Sequence, residues 1–229
     1  MCNRYTLKSL DALNSFPGEL VAGLIGPWQP RYNIALTSLV PVITQRAKPT
    51  LETMQFGFNL PARAADEKAK LLSNARAETA LDKPTFRDAT RQRRCLVPVD
   101  GFYEWEKAGA SRLPHYFTLK SGAPFFFAGL WTPAHENSPA AFCIVTTAAN
   151  ALLQPIYHRI PVILGPNSGP LWLGDQPIDR SLFTRLCRPL PAEMMTGHRV
   201  DPKVNNVRYE APDCIAAFAA KPQSDPELY

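Results

Sequence analysis

No apolar run in this sequence approaches the roughly 20 residues needed to span a bilayer; the longest candidate, residues 124–130, is far too short. The CxxC spacing is missing among its cysteines, Cys2, Cys95, Cys143, Cys187 and Cys214. That excludes a finger-type zinc site, and an odd number of thiols argues against a disulfide framework. No h-region follows Met1-Cys2-Asn3-Arg4, so no secretory leader is read, and a cytoplasmic location with reduced thiols is expected. Internal repeats and long linkers are also absent. Neither a metal nor a cofactor is expected, and nothing points to a membrane.

What the sequence does have is proline, 23 in 229 residues, about twice ordinary usage. Proline disfavours long helices and central strands. This excludes a helical bundle and favours short strands, turns and irregular segments. Hydrophobic residues at 45% and charged residues at 20% describe an ordinary globular chain. The economical reading is one α+β domain over residues 1–216 with a loose tail at 217–229, in a monomer. A net charge of +5 and a pI near 9.0 permit a nucleic-acid partner without requiring one.

Local patterns predict a short helix at 9–16 capped by Ser9, paired strands at 36–45 and 50–58, and a helix at 62–72. Further on they predict an apolar strand at 95–99, a hairpin from 115–119 and 124–131, and a buried strand at 141–147. A helical turn at 148–153, a strand at 159–164 and a helix at 179–186 capped by Asp179 follow. Arg87, Arg91 and Arg94 share a face at helical spacing, either as phosphate contacts or as a solvated surface.

Cys95 and Cys143 lie in apolar runs and read as small buried hydrophobes. Cys2 differs, because removal of Met1 would leave a residue with two neighbouring nucleophiles. An α-amine titrates near 7.7–8.0 and a thiol near 8.5, so both are partly nucleophilic around neutrality. Together they suit capture of an aldehyde: the amine forms a Schiff base and the thiol closes it to a thiazolidine. The competing reading is a disordered second residue.

Three further segments concentrate reactive groups. In Ser73-Asn74-Ala75-Arg76-Ala77-Glu78-Thr79 small residues flank an amide and a guanidinium suited to a phosphate; the alternative is a turn with a solvated Arg–Glu pair. In Asp100-Gly101-Phe102-Tyr103-Glu104-Trp105 a carboxyl between aromatics invites a raised pKa and proton transfer; the alternative is an edge strand with Glu104 facing outward. In Pro155-Ile156-Tyr157-His158-Arg159-Ile160-Pro161, His158 is either a general acid–base or a structural histidine.

Taken in order, Met1-Cys2-x-Arg4-Tyr5, Arg31-Tyr32-Asn33, Asn74-Ala75-Arg76-x-Glu78-Thr79, Gly101-Phe102-Tyr103-Glu104-Trp105, Thr146-Thr147-Ala148, Arg159-x-Pro161-Val162-Ile163-Leu164 and Val204-Asn205-Asn206 resemble the SOS response-associated peptidase (SRAP) family, the abasic-site processing proteins. The resemblance implies a single domain on a twisted, barrel-like mixed β-sheet flanked by short helices, with a basic groove. It implies removal of the initiator methionine, then a covalent thiazolidine cross-link to abasic sites in single-stranded DNA. Cys2 would be the nucleophile, Asn74 would orient it, and Glu104 would move protons. Arg4, Arg76, Thr146 and Arg159 would hold phosphates.

The chain departs from the family pattern at several points. Asn3 replaces a usual glycine and Leu36 a usual proline. Phe56-Gly57 replaces Trp-Gly, and Ala62-Arg63 stands where a base-stacking tryptophan is common, leaving Phe58 or Arg63 to substitute. Tyr157 occupies the position of the family's catalytic histidine and His158 that of the following Asp. In an extended backbone His158 faces the opposite side from Tyr157, so either the local backbone adjusts, or Tyr157 fills the role, or the step served by that histidine is impaired. Two other functions are compatible with the residues: a non-covalent single-stranded-DNA-binding relative, and an N-terminal-nucleophile amidohydrolase.

Overall fold

The computed structural model describes residues 2–16, 19–22, 27–60, 70–135 and 138–219. Its strands are β1 (Arg4–Leu7), β2 (Val21–Ala22), β3 (Arg31–Ala35), β4 (Leu39–Gln45), β5 (Pro49–Phe56), β6 (Phe58–Leu60), β7 (Lys70–Leu72), β8 (Asn74–Arg76), β9 (Arg94–Val99), β10 (Gly101–Ala108), β11 (Ser111–Leu119), β12 (Phe125–Thr132), β13 (Ala141–Ala148), β14 (Arg159–Pro161), β15 (Ile163–Leu164) and β16 (Met195–Arg199). Four short helices accompany them: α1 (Ala77–Ala80), α2 (Pro84–Gln92), α3 (Ser168–Leu173) and α4 (Arg180–Leu186). The fold is α+β and sheet-dominated, as expected.

Two sheets share one apolar layer. In the larger, β13, β12, β9, β4 and β5 follow one another by antiparallel pairing, and a parallel contact of β5 with β13 closes them into a ring. The smaller runs β16-β11-β10-β1-β3, antiparallel throughout. Tyr5, Phe102 and Phe117 of the smaller sheet pack with Phe56, Phe127 and Phe142 of the ring. The other face of the ring is covered by Phe86 of α2, Trp172 of α3 and Phe183 of α4. Because both faces of the ring are covered, strands such as Arg-Cys-Leu-Val-Pro-Val (β9) and Ala-Phe-Cys-Ile-Val-Thr-Thr-Ala (β13) read as continuous rather than alternating apolar runs. At the start of β10 the backbone needs Gly101, since a Cβ there would lie 2.0 Å from the Tyr116 hydroxyl.

Several local expectations hold. Asp179 caps α4, its Oδ1 accepting from the Leu182 amide at 2.8 Å. All five cysteines are free and buried. Other expectations need correction. The segments at 115–119 and 124–131 are not a hairpin: β11 pairs with β10 and β16, whereas β12 pairs with β9, β13 and β15. Both are apolar enough to be central strands, so each is satisfied by long-range partners in a different sheet. Of the helix expected at 62–72, Lys70–Leu72 is a strand paired with β6, and residues 62–69 lie outside the described residues. The strand at 159–164 is broken at Val162, whose N–H donates to the Val145 carbonyl. The helix at 9–16 is a 3-10 turn over Asp11–Ser15. Arg94 does not share a face with Arg87 and Arg91. It lies in β9, and its buried guanidinium donates to the carbonyls of Trp172 in α3 (2.6 Å) and of Gln176 beyond the end of that helix (2.8 Å). At the start of the segment read as a tail, Val200 bridges Ala217 and the Phe218 amide donates to the Arg199 carbonyl, while residues 220–229 lie outside the described residues.

Candidate functional site

Cys2 precedes β1, and β1 lies inside the smaller sheet beside β10. This addition of the N-terminal strand carries Cys2 into the apolar layer between the two sheets, where the residue is 1% exposed. From the ring side, β8 runs parallel to β13, placing Asn74 opposite Ile144. The Asn74 Nδ2 donates to the Cys2 carbonyl at 3.0 Å, and its Oδ1 is buried without a hydrogen-bond partner among the described residues. A buried amide oxygen left unsatisfied is costly in a folded chain and is a natural place for an incoming donor.

Glu104 comes from β10. Alternation along the strand places it on the same side as Phe102, toward Cys2, and it is 2% exposed. The edge-strand reading is therefore corrected: β10 is flanked by both β1 and β11, and Glu104 points inward. Burial pushes its carboxyl up to about 7, while the positive charge of the amino terminus pulls it down. Burial, reinforced by the negative charge of Glu104, also holds the Cys2 thiol well above its usual range. The thiol is thus protonated at rest beside a carboxyl poised to exchange protons near neutrality.

Three distant motifs converge on Arg4. Its Nη1 donates to Asn33 Oδ1 at 2.6 Å and to the Val204 carbonyl at 2.9 Å. The guanidinium lies 5.5 Å from the centroid of the Trp105 ring. Asn33 Nδ2 in turn donates to the carbonyls of Val204, Asn206 and Tyr209. Glu210 locks this arrangement by accepting from Arg31 Nε at 2.8 Å and from the amides of Tyr32 and Asn33. Sequence reasoning missed Glu210. No local pattern marks a carboxylate whose partners lie about 180 residues away.

The other residues named from the sequence are distributed unevenly. Arg76 ends β8 and is exposed. Thr146 is fully buried, its hydroxyl donating to the Ala75 carbonyl at 3.4 Å. Arg159 makes a two-bond pair with Glu78 at 2.7 and 2.9 Å and donates to the Thr146 carbonyl at 2.6 Å. That contact holds the Glu78 carboxyl below the usual carboxylate range. Tyr157 and His158 pack against each other, with ring centroids 4.5 Å apart; Tyr157 is half-buried and His158 exposed. Among the described residues, a side-chain hydrogen bond reaches Cys2 from Asn74 and not from either ring. Phe58, offered as a substitute stacking surface, is 1% exposed in the core, and Arg63 lies outside the described residues. Among the described residues no group of His, Cys, Asp or Glu is arranged to hold a metal ion. No helix among them is long and apolar enough to cross a membrane.

The sequence and the fold are similar to those of known proteins. The chain is 34% identical over 225 residues to the abasic site processing protein YoqW of Bacillus subtilis, covering 94% of this chain and 99% of that one. It is 29% identical over 190 residues to the abasic site processing protein YedK of Escherichia coli, covering 81% and 83%. Among solved structures, a protein from Bacteroides thetaiotaomicron superposes with a TM-score of 0.75 at 20% identity, over 95% of this chain and all of that one. A phage-related protein from Bordetella bronchiseptica gives 0.68 at 25% identity, over 87% and 94%. The family model described as SOS response associated peptidase (SRAP) matches residues 1–207, a span that holds Cys2, Asn74, Glu104, Arg4 and Asn33, and the chain belongs to that family.

Proposed function

We propose that this chain processes abasic sites, binding single-stranded DNA and joining Cys2 covalently to the ring-opened sugar. The observation that carries the reading is the junction of Cys2, Asn74 and Glu104: a backbone tether at 3.0 Å and an inward carboxyl that titrates near 7. The names of the abasic site processing relatives YoqW and YedK support the substrate class.

Hydrolysis of the Met1–Cys2 peptide bond comes first and frees the Cys2 amine. The amine then adds to the C1′ aldehyde of the abasic sugar. Protonated Glu104 gives its proton to the departing hydroxyl, so water leaves and a Schiff base remains. Glu104, now a carboxylate, takes the proton of the Cys2 thiol as sulfur adds to the same carbon, and the electron pair of the C=N bond returns to the nitrogen, which keeps the hydrogen it carried in the protonated Schiff base. The sum is amine, thiol and aldehyde giving thiazolidine and one water. A carboxyl titrating near 7 is populated in both forms at neutral pH, as the two transfers require. Asn74 fixes the Cys2 backbone so that amine and thiol reach the same carbon.

The test is incubation of the mature protein with single-stranded DNA bearing one abasic site, followed by a denaturing gel. A slowly migrating covalent species is expected from wild type and not from Cys2→Ala. Equal amounts from both, or none from wild type, would reject the reading.

A further inference from the structure

An open cavity of about 330 Å³ adjoins the Cys2 site and is lined by Asn3, Arg4, Trp105, Arg112 and Asn205. Its walls differ chemically. Trp105 is half-buried, and its indole is held in place by two contacts. Its Nε1 donates to Asn205 Oδ1 at 2.6 Å, and the Arg4 guanidinium stands over the ring. Arg112 is exposed on β11 and supplies a positive charge at the rim. Asn3 contributes an amide whose oxygen is buried without a hydrogen-bond partner among the described residues. Asn3 is also joined directly to Cys2, so the cavity is tied to the reactive residue through one peptide bond.

Each wall matches one part of a nucleotide. An indole edge and face suit a base, which stacks on aromatic side chains regardless of sequence. A guanidinium at the rim suits a phosphate. An asparagine amide carries both a donor and an acceptor, the pair that reads the edge of a base. Two other candidate stacking positions do not serve: Phe58 is closed into the core, and residue 62 is alanine. A glycine at position 3 would leave the cavity without any side-chain group able to read a base from the Cys2 side.

We propose that this cavity is a base-reading subsite for a nucleotide flanking the abasic site, in which Trp105 stacks on the base, Arg112 meets its phosphate and Asn3 reads its edge. The chain then discriminates among flanking bases. The inference rests on the DNA reading above.

The experiment uses the full chain and fluorescence anisotropy with single-stranded oligonucleotides carrying a tetrahydrofuran analogue, which has no aldehyde and cannot cross-link. One set varies only the base 5′ to the analogue and another only the base 3′. At one flank, wild type is expected to span at least about five-fold in Kd between the best and worst base. Asn3→Gly is expected to cut that span to less than half. Trp105→Ala weakens binding of every oligonucleotide about ten-fold. Arg112→Ala, on an exposed strand position, lowers all affinities alike and reduces the salt slope by about one. A wild-type span below five-fold at both flanks, or a span that Asn3→Gly leaves above half, overturns the subsite. Because the analogue cannot react, failure of the covalent chemistry on true abasic DNA leaves this measurement intact. A protein that cross-links normally but shows no flank dependence overturns the subsite alone.

Discussion

Cys2 and Cys95 are hidden from solvent to the same degree, at 1% and 0% exposure, and burial raises both thiols well above their usual range. Both even belong to the same apolar layer. Their neighbours separate them. Cys95 faces Gly129, where a Cβ would come within 2.5 Å of its sulfur, and Val97 lies close by. This is a volume problem solved by packing. Cys2 instead has its carbonyl held by Asn74 and a carboxyl poised near 7 beside it. Two amide oxygens close at hand, Asn74 Oδ1 and Asn3 Oδ1, lack hydrogen-bond partners among the described residues. Burial alone does not mark a reactive cysteine. Unsatisfied polar groups brought to a buried thiol do, since a native interior keeps few of them without use.

The sharpest way to break this contrast is to exchange the fates of the two thiols. Cys2→Ala is expected to abolish the denaturant-stable adduct on abasic single-stranded DNA. Cys95→Ala should leave adduct yield unchanged while lowering stability by about 1 kcal/mol in urea unfolding. Loss of adduct in Cys95→Ala would erase the distinction.

Next in size is Glu104→Gln, expected to slow cross-linking about 100-fold at neutral pH and to flatten the rate profile around pH 7. The same substitution has a stability signature of definite sign. The folded carboxyl is raised from 4.5 to about 7, so its contribution is fully present below the unfolded pKa and is lost as pH rises through the folded one. Above pH 7, Glu104→Gln should therefore be more stable than wild type by about 1–3 kcal/mol, with the difference vanishing below about pH 4.5. A difference independent of pH would show that the carboxyl is not buried as described.

Gly129→Ala tests the packing side. A methyl group pressed on the Cys95 sulfur should cost about 1–3 kcal/mol, measured as a lower Tm, and Cys95→Ala in the same chain should restore part of it. Asn74→Ala is the smallest expected change, slowing cross-linking about ten-fold by releasing the Cys2 backbone, with binding to unreactive DNA nearly unchanged. An equal loss in binding would make Asn74 a DNA contact instead of a positioning group.

Features set by a few neighbouring residues were legible in the sequence. Asp179 before Leu182 and Phe183 announces a capped helix, and apolar runs around Cys95 and Cys143 announce buried strands. Glu104 between aromatics was legible as a candidate acid, though only its place between β1 and β11 decided that it points inward. Strand partnership was not legible. The segment at 115–119 has the same local character whether it pairs with 124–131 or with β10, and the choice is made by packing between the two sheets. The parallel contact that closes the ring, Phe142 beside Phe56, joins segments far apart in the chain. Arg94 looked like one member of a basic face because spacing counts positions as though a helix continued. The helix stops at Gln92, and the buried carbonyls near α3 claim the guanidinium. Glu210 and Asn33 are likewise ordinary residues until the fold brings the 202–215 segment against β3.

The most direct test of the central claim is the intact mass of the adduct formed on abasic single-stranded DNA, before and after borohydride treatment. The account predicts the mass of the chain without Met1 plus the oligonucleotide, less one water, unchanged by borohydride because the imine has already closed to a thiazolidine. An adduct that retains Met1, one that gains two hydrogens on reduction, or no adduct at all would contradict it.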